Sequence, residues 1–183
     1  MSIVIVDYGA GNTRSVRAAL SRLGRESVVS ADPDVIRDAS HVVLPGVGSA
    51  KAAMSHLQAT GADDAIRARY LSERPVLGIC LGLQLALGRS EEDGGVDGLG
   101  IITGVVRLLD DERRPRLGWA RVEPYGEAFY FAHSYYADTP RATDFALGVT
   151  AIAERRSFLG VQFHPEKSGE AGLEFLESWC SRV

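Results

Sequence analysis

A cysteine lies between two glycines where the chain changes from strand-like to helix-like composition. Cys80 follows the apolar run Val76–Ile79 and precedes a predicted helix over residues 81 to about 88. Gly78 and Gly82 on either side are typical of the sharp turn called a nucleophile elbow. Backbone N–H groups and the positive end of a helix stabilise a thiolate, so Cys80 is predicted to be a nucleophile. The alternative is a buried structural cysteine.

Gln84 is the one amide or charged side chain between Ile79 and Leu87. Its position four residues after Cys80 places both side chains on the same face of the predicted helix. A polar residue at this point is suited to bind a polar substrate above the cysteine. The alternative is a glutamine whose amide reaches solvent.

A histidine and a glutamate two residues apart follow another strand-like run. His164 and Glu166 flank Pro165. Residues i and i+2 of an extended chain face the same way, and the proline between them stiffens the backbone. Glu166 is therefore predicted to orient the His164 imidazole, which would transfer protons during catalysis. On its own, His-Pro-Glu is also typical of a simple turn, so this interpretation depends on the cysteine elsewhere in the chain.

Acyl transfer also requires N–H donors where negative charge develops in the transition state. The N–H of Leu81, directly after the cysteine, is one predicted donor. The other is predicted in the Pro-Gly-Val-Gly turn, at Gly46, Val47 or Gly48, because parallel strands carry their sites at their C-terminal ends. The alternative is an ordinary turn between a strand and a helix.

The elements that must position these residues alternate in the first half of the chain. Apolar runs predict strands at Ile3–Val6, residues 26–29, residues 42–44 and Val76–Ile79. Helical spacing predicts helices over residues 16–23 and, with a break near Gly61, over residues 50–74. This alternation predicts an α/β fold: a doubly wound, mostly parallel sheet flanked by helices.

The second half has a different pattern. Short runs at residues 105–106, 128–132 and 145–152 predict antiparallel strands and hairpins beside the main sheet. The chain ends in a predicted helix, on which Cys180 is expected only to pack. Residues 91–100 are the predicted flexible loop. No linker interrupts the pattern, so residues 1–183 are predicted to form a single domain.

Composition excludes several classes of function. The 183 residues carry a net charge of −4 and no basic stripe, which disfavours nucleic acid and anionic membranes as partners. Two cysteines and no leader or long apolar stretch predict a cytoplasmic protein. No His, Cys, Asp or Glu spacing fits a metal site, and Gly9 and Gly11 lack the third glycine of a dinucleotide loop. No metal or cofactor is therefore expected. His133 could line a site or simply pack.

Taken together, these motifs resemble those of the class I, triad-type glutamine amidotransferases. The finer resemblance is to the glutaminase subunits of imidazole glycerol phosphate synthase, and it spans essentially the whole chain. The segments that carry it are residues 7–12 (Asp-Tyr-Gly-Ala-Gly-Asn), 44–48, 78–82, 118–119, 133–136 (His-Ser-Tyr-Tyr) and 162–169.

The resemblance implies a mechanism and a partner. Cys80 would attack the glutamine carboxamide, His164 would protonate the departing ammonia, and water would hydrolyse the glutamyl thioester. Gln84 and the backbone near Ser134 and Tyr135 match the glutamine-binding positions. Ammonia would pass to a (β/α)₈-barrel cyclase subunit, which makes imidazole glycerol phosphate and aminoimidazole carboxamide ribotide in histidine biosynthesis. The glutaminase would be nearly idle until that cyclase binds its ligand.

The resemblance also places a subunit interface at Asn12, Trp119, Tyr136 and Lys167. Near it, the chain departs from the family pattern: Arg116 and Ala120 replace the usual histidine and asparagine, and residues 122–129 form a shorter stretch than usual. None of these departures falls on the predicted triad.

Three other functions fit parts of the pattern. Another triad amidotransferase subunit, such as one serving pyridoxal phosphate synthesis, is disfavoured by the Pro-Gly-Val-Gly turn and by residues 133–136. A stand-alone cysteine hydrolase or peptidase would work without a partner. A non-catalytic regulatory subunit would keep its function after Cys80→Ala.

Overall fold

The computed structural model describes residues 2–9, 11–112 and 114–182. Ala10, which belongs to the glycine-rich turn at residues 7–12, lies outside the described residues. Within them there are six α-helices and thirteen strands. The strands form one seven-stranded, one four-stranded and one two-stranded sheet.

The helices and strands are numbered in chain order. The helices are α1 (Thr13–Arg22), α2 (Pro33–Asp38), α3 (Ala50–Thr60), α4 (Ala62–Leu71), α5 (Leu81–Leu85) and α6 (Gly169–Cys180). The strands are β1 (Ile3–Val6), β2 (Ser27–Ser30), β3 (His41–Leu44), β4 (Val76–Ile79), β5 (Leu87–Ser90), β6 (Val96–Asp97), β7 (Ile102–Leu108), β8 (Arg116–Arg121), β9 (Ala128–His133), β10 (Tyr135–Asp138), β11 (Ala142–Ala146), β12 (Val149–Arg155) and β13 (Phe158–Val161). Short 3₁₀ turns cover Glu92–Gly94 and Pro165–Lys167.

The seven-stranded sheet is the centre of the fold. Its order is β11-β12-β13-β4-β3-β1-β2. The five strands from β13 to β2 pair in parallel, whereas β11 and β12 extend the sheet in antiparallel fashion. The predicted α/β fold with a mostly parallel sheet flanked by helices is confirmed.

The central strands are apolar throughout because both faces of the sheet are covered. In β1, Ile3 and Ile5 pack in a core layer that includes residues of α1 and α6. Val4 and Val6 point the other way, into a layer that includes residues of α3 and α4. A strand buried on both faces has no polar side, which explains the uninterrupted apolar run.

Two short elements differ from the sequence predictions. The helix predicted over residues 81–88 ends at Leu85, and the chain enters β5 after one further residue. Residues 81–87, which include all of α5 and the start of β5, are buried, so apolar periodicity cannot mark the boundary between the two elements. Helix α2 was not predicted at all. It has only six residues, and its signal is the N-cap Asp32, whose carboxylate accepts from the Asp34 N–H at 2.8 Å.

The second half contains more strands than predicted, and some lie elsewhere. The run at residues 145–152 is not one strand, because a turn at Leu147 and Gly148 divides it between β11 and β12. These two strands join the main sheet instead of lying beside it. Strand β8 was missed and forms a hairpin with β9.

The loop predicted at residues 91–100 has regular structure. It contains a 3₁₀ turn and β6. Glu92 accepts a hydrogen bond from the Ala50 N–H at 2.9 Å, and the Ser49 hydroxyl donates to Asp93 at 2.6 Å. These bonds hold the loop against the N-terminus of α3, and its predicted flexibility stays a prediction.

The sheet order brings the chemical segments to one edge. Strands β3, β4 and β13 are neighbours, with Leu44 opposite Gly78 and Val161 opposite Ile79. The residues that follow these three strands therefore meet at their C-terminal ends. Across the described residues, none of the helices has the length and apolar character that a bilayer-spanning segment needs.

Candidate active site

Cys80 occupies a sharp turn between β4 and α5. Its backbone has φ 51° and ψ −104°, a conformation that is costly for a residue with a side chain. The Cys80 N–H donates to the Val161 carbonyl at 2.7 Å, which holds the turn against β13. The side chain is 6% exposed, so the sulfur is nearly buried but open on one side.

The glycines around Cys80 are required by close backbone contacts. A Cβ on Gly82 would lie 2.0 Å from the Leu44 carbonyl oxygen, and one on Gly78 would lie 2.8 Å from backbone atoms of Gly82. Both contacts are shorter than any side chain tolerates. The pattern of glycines noticed in the sequence therefore has a steric cause.

His164 and Glu166 form a buried ion pair or hydrogen bond. The distance from Nδ1 of His164 to Oε1 of Glu166 is 2.8 Å, and each side chain is 1% exposed. The backbone between them is a 3₁₀ turn starting at Pro165, not the extended chain that the sequence argument assumed. Ser168 fixes this turn, since its hydroxyl donates to the His164 carbonyl at 2.7 Å and accepts from the Tyr130 N–H at 2.9 Å.

The surroundings of His164 favour its protonated form. Burial by itself would lower the pKa, but hydrogen bonds to Cys80 and Glu166, together with their negative charges, outweigh it and raise the pKa to about 9. Nδ1 of His164 faces Glu166, and the same imidazole is near enough to Cys80 for that group to raise its pKa. This order of groups fits proton transfer at the sulfur.

Two further groups contact the Cys80 sulfur. The Gln162 side-chain N–H lies 3.5 Å from Sγ, and the Ala132 carbonyl lies 3.8 Å from it. Gln162 is fully buried. Gln162 was not predicted as a site residue, because an isolated glutamine directly after an apolar strand has no spacing signal.

The Pro-Gly-Val-Gly turn lies directly against the N-terminus of α5. A Cβ on Gly46 would lie 2.4 Å from the Leu81 and Gly82 nitrogens, so only glycine fits there. The Tyr8 hydroxyl donates to the Pro45 carbonyl at 2.6 Å. Burial raises the pKa of Tyr8, although a hydrogen bond from the Val47 backbone partly offsets this effect.

A cleft of about 240 Å³ opens beside Cys80. It is lined by all four residues predicted to donate to an oxyanion, namely Leu81, Gly46, Val47 and Gly48, and by the three predicted substrate positions Gln84, Ser134 and Tyr135. A larger groove of about 900 Å³ runs along β2 but contains none of the predicted side chains.

Gln84 and His133 fix one backbone carbonyl at the cleft. The Tyr135 carbonyl accepts from Nε2 of Gln84 at 2.8 Å and from Nδ1 of His133 at 2.9 Å. Burial lowers the pKa of His133 to about 4, so its ring is neutral near neutral pH. His133, which the sequence left undecided, therefore holds the backbone of the predicted substrate-binding segment.

The comparisons with known proteins agree with this geometry. A family model described as glutamine amidotransferase class-I matches residues 4–182. The chain belongs to the class-I glutamine amidotransferase family. It is accordingly an enzyme with glutaminase chemistry. Its sheet carries the cysteine on the segment after β4, and the histidine and the glutamate together on the segment after β13.

Relatives within this amidotransferase family are similar over nearly their full length. "Imidazole glycerol phosphate synthase subunit HisH" of Exiguobacterium sibiricum is 42% identical, covering 97% of this chain and 93% of the relative. The protein of the same name from Methanopyrus kandleri is 44% identical, with 96% of each chain covered. The resemblance inferred from the motifs is confirmed at the level of the HisH subunits.

Solved structures show the same fold at lower sequence identity. A "glutamine amidotransferase" crystal structure superposes with a TM-score of 0.78 at 20% identity, covering 97% of this chain and 98% of the other. PurLQS from Thermotoga maritima gives a TM-score of 0.73 at 17% identity, covering 98% and 97%. These similarities concern the architecture alone.

The four predicted interface residues of this amidotransferase differ in their surroundings. Trp119 is 59% exposed and packs edge-on against Tyr130, with ring centroids 6.2 Å apart. The Lys167 ammonium lies 6.0 Å from the centre of the same ring. Asn12 points inward, and its side-chain N–H donates to Oε1 of Glu166 at 3.0 Å. Tyr136 lies on β10.

The remaining candidate groups lie outside the cleft. Cys180 is fully buried, and burial raises the pKa of its thiol to about 11. His41 packs edge-on against Trp179. Over residues 2–9, 11–112 and 114–182, no group of three or more His, Cys, Asp or Glu side chains has the arrangement of a metal site.

Proposed function

We propose that this amidotransferase hydrolyses glutamine to glutamate and ammonia with Cys80, His164 and Glu166 as its triad. The observation that carries the proposal is the order of contacts: Glu166 bonds Nδ1 of His164 at 2.8 Å, while the same imidazole interacts with Cys80. A nucleophile, a base and a group that orients the base are the parts that covalent acyl transfer requires.

In the proposed first step, the Cys80 thiolate attacks the carboxamide carbon of glutamine. The oxygen becomes negative and is stabilised by the Leu81 N–H, with a second donor from Gly46, Val47 or Gly48. The C–N bond then breaks, and its electrons take the proton from His164, releasing ammonia and leaving a glutamyl thioester.

The second step hydrolyses the thioester. His164, now neutral, removes a proton from water, and the resulting hydroxide attacks the thioester carbon. The C–S bond breaks, glutamate leaves, and the thiolate and imidazolium are restored. Glu166 stabilises the imidazolium in both steps, and Asn12 fixes the carboxylate by donating to Oε1.

Substrate binding is assigned to Gln84 and to the Ser134–Tyr135 backbone, which line the cleft with Cys80. Two hydrogen bonds on the Tyr135 carbonyl keep this backbone in one orientation. A rigid backbone reduces the entropy that is lost when glutamine is ordered for attack.

We also propose that the ammonia serves histidine biosynthesis through a (β/α)₈-barrel cyclase subunit. The word "subunit" in the names of the HisH relatives supports a partner. The exposed Trp119 and Lys167, with Asn12 and Tyr136, form the proposed contact surface. Free ammonia is mostly protonated at neutral pH and is then no longer nucleophilic, so direct transfer to a bound partner protects it.

The partner is proposed to control the oxyanion turn. The Tyr8 hydroxyl donates to the Pro45 carbonyl and holds this turn in place, and the turn would have to reorient before a second N–H could face an oxyanion at Cys80. A partner that favours the turned conformation would activate the glutaminase by shifting the population of conformations.

The test measures glutamate release by the full chain alone, with a matching cyclase, and with the cyclase plus its nucleotide ligand. The proposal expects strong activity only in the last case, and loss of that activity in Cys80→Ala. Tyr8→Phe removes the hydroxyl that donates to the Pro45 carbonyl and is expected to raise the rate of the isolated chain. Equal glutamine turnover in all three mixtures would contradict control by the partner.

A further inference from the structure

Two glutamine side chains link the Cys80 sulfur to the substrate-binding backbone. Nε2 of Gln162 lies 3.5 Å from Sγ of Cys80, and Oε1 of Gln162 lies 3.2 Å from Nε2 of Gln84. Nε2 of Gln84 also donates to the Tyr135 carbonyl at 2.8 Å. Gln162 is 0% exposed and Gln84 is 7% exposed, so water does not compete for these bonds.

The direction of this chain of bonds is fixed by its far end. A backbone carbonyl can only accept, so Gln84 must present its NH₂ group to Tyr135. The second N–H of that group then donates to Gln162, whose oxygen is thereby occupied. The remaining NH₂ group of Gln162 must face the sulfur, because a flipped amide would place two acceptors or two donors against each other.

We propose that Gln162 is a further catalytic residue, which stabilises the Cys80 thiolate by donating a hydrogen bond to Sγ. The proposal rests on the role of Cys80 as nucleophile described above. Hydrogen bonds to charged acceptors are stronger than those to neutral ones, so the bond favours the thiolate over the thiol.

An amide donor complements the histidine. His164 gives its proton to the departing ammonia, so it is neutral while the thioester exists. Gln162 carries no titratable proton and keeps its N–H throughout. When the C–S bond breaks and its electrons return to sulfur, the Gln162 N–H already faces the sulfur. No proton has to be transferred before this hydrogen bond can form.

The ionisable groups around Cys80 allow a clear readout by pH. His164 has a pKa raised to about 9, as burial is outweighed by its hydrogen bonds to Cys80 and Glu166. Burial lowers the pKa of His133 to about 4 and raises that of Tyr8. Burial also raises the pKa of Glu92, which lines the same cleft. Between pH 7 and 10, the reactivity of the sulfur therefore follows the coupled Cys80 and His164 pair.

The experiment follows alkylation of Cys80 by iodoacetamide as a function of pH. The full-length protein is used, and the modified peptide is quantified by mass spectrometry, with the fully buried Cys180 as internal control. Gln162→Met removes the donor at similar length. Gln162→Glu keeps the size and places a carboxylate oxygen against the sulfur, so it carries the test if the methionine variant does not fold. Gln58→Met, at an exposed site on α3, is the matched control.

The expected result is a higher midpoint of the alkylation profile. Gln162→Met should raise it by about 1 pH unit, and Gln162→Glu should raise it further. Gln84→Met leaves the Gln162 amide free to turn and should give a smaller shift in the same direction. The alkylation profile of Gln58→Met should match that of the wild-type protein.

Two outcomes separate this proposal from the proposed function. An unchanged midpoint in folded Gln162 variants, even with a lower glutaminase rate, would overturn the thiolate-stabilising role and leave only a packing role. Glutaminase activity that survives Cys80→Ala would overturn the triad, whereas the alkylation profiles would still report whether Gln162 donates to the sulfur.

Discussion

The two cysteines lie in regions that differ in backbone more than in burial. Cys80 is 6% exposed and Cys180 is 0% exposed. Cys80 lies on a strained turn at φ 51°, at the N-terminus of α5, with His164 and Gln162 beside it. Cys180 lies at the end of a regular helix in apolar surroundings, where burial raises the pKa of its thiol to about 11. Reactivity is therefore a property of the polar groups that the fold brings to the sulfur.

The largest expected difference between the two regions concerns activity. Cys80→Ala should lower the glutaminase rate of the active assembly by ~10⁴-fold or more, because the residues of a triad act as a unit. Cys180→Ala should change it by no more than about twofold, as is usual for a site that touches no reacting group. Initial rates of glutamate formation measure both. A comparable loss in Cys180→Ala would remove the distinction drawn between the two thiols.

Backbone contacts around Cys80 should make that region intolerant of added atoms. Gly82→Ala would place its Cβ 2.0 Å from the Leu44 oxygen, and we expect it to lower the free energy of unfolding by about 3 kcal/mol or more. Gly88→Ala is the control, because its Cβ would meet nothing closer than 3.8 Å, and an effect below about 1 kcal/mol is expected. Denaturant titrations give both values. Equal stability of the two variants would show that the backbone around Cys80 can shift to make room for the added methyl group.

The pH dependence of activity should report the raised pKa of His164. A raised pKa keeps the imidazole protonated and able to protonate ammonia below about pH 9, and this ability is lost as the pH rises through that value. Glu166→Gln removes one cause of the raised pKa, so the alkaline limb of the rate profile should move down by about 1 pH unit. Glu174→Gln, on the exposed face of α6, is the control. An unmoved limb in Glu166→Gln would mean that another group sets it.

The smallest expected effect concerns the free energy of unfolding of glycine and alanine variants, whose order should be opposite at the two cysteines. Glycine adopts φ 51° without strain, so Cys80→Gly should be more stable than Cys80→Ala by about 1 kcal/mol. Cys180 has helical backbone, where glycine is less favourable than alanine by up to about 1 kcal/mol, so the order should reverse. Thermal and denaturant unfolding of the four variants compare the two pairs. The same order at both sites would argue against strain at Cys80.

Much of the first half of the chain, whose strands pair in parallel, was predictable because short stretches of sequence mark its elements. The run Val76–Ile79 and the glycines beside Cys80 mark a strand and a sharp turn within a few residues. Strand β4 was predicted with its bounds as observed. The neighbouring positions of β3, β4 and β13 follow from the rule that parallel strands deliver their sites at one edge.

Other features depend on residues that are far apart in the chain and have no local signal. Gln162 and Gln84 meet across 78 positions, and Asn12 meets Glu166 across 154. A polar side chain in an apolar strand is interpretable only when its partner is known. The boundary between α5 and β5 was missed for a related reason, since burial on all sides removes the alternation by which helix and strand are told apart.

The sequence by itself determined the class of fold, the nucleophile turn and the identity of the predicted triad, because spacing and glycine requirements are local. Only the tertiary structure decided which groups surround the sulfur and in which direction their hydrogen bonds run. It placed the Tyr8 hydroxyl on the Pro45 carbonyl, the Asn12 amide on Glu166 and the Gln162 amide on Cys80. Each of these bonds joins separate strands or loops, and their geometry exists only once the sheet has aligned those segments.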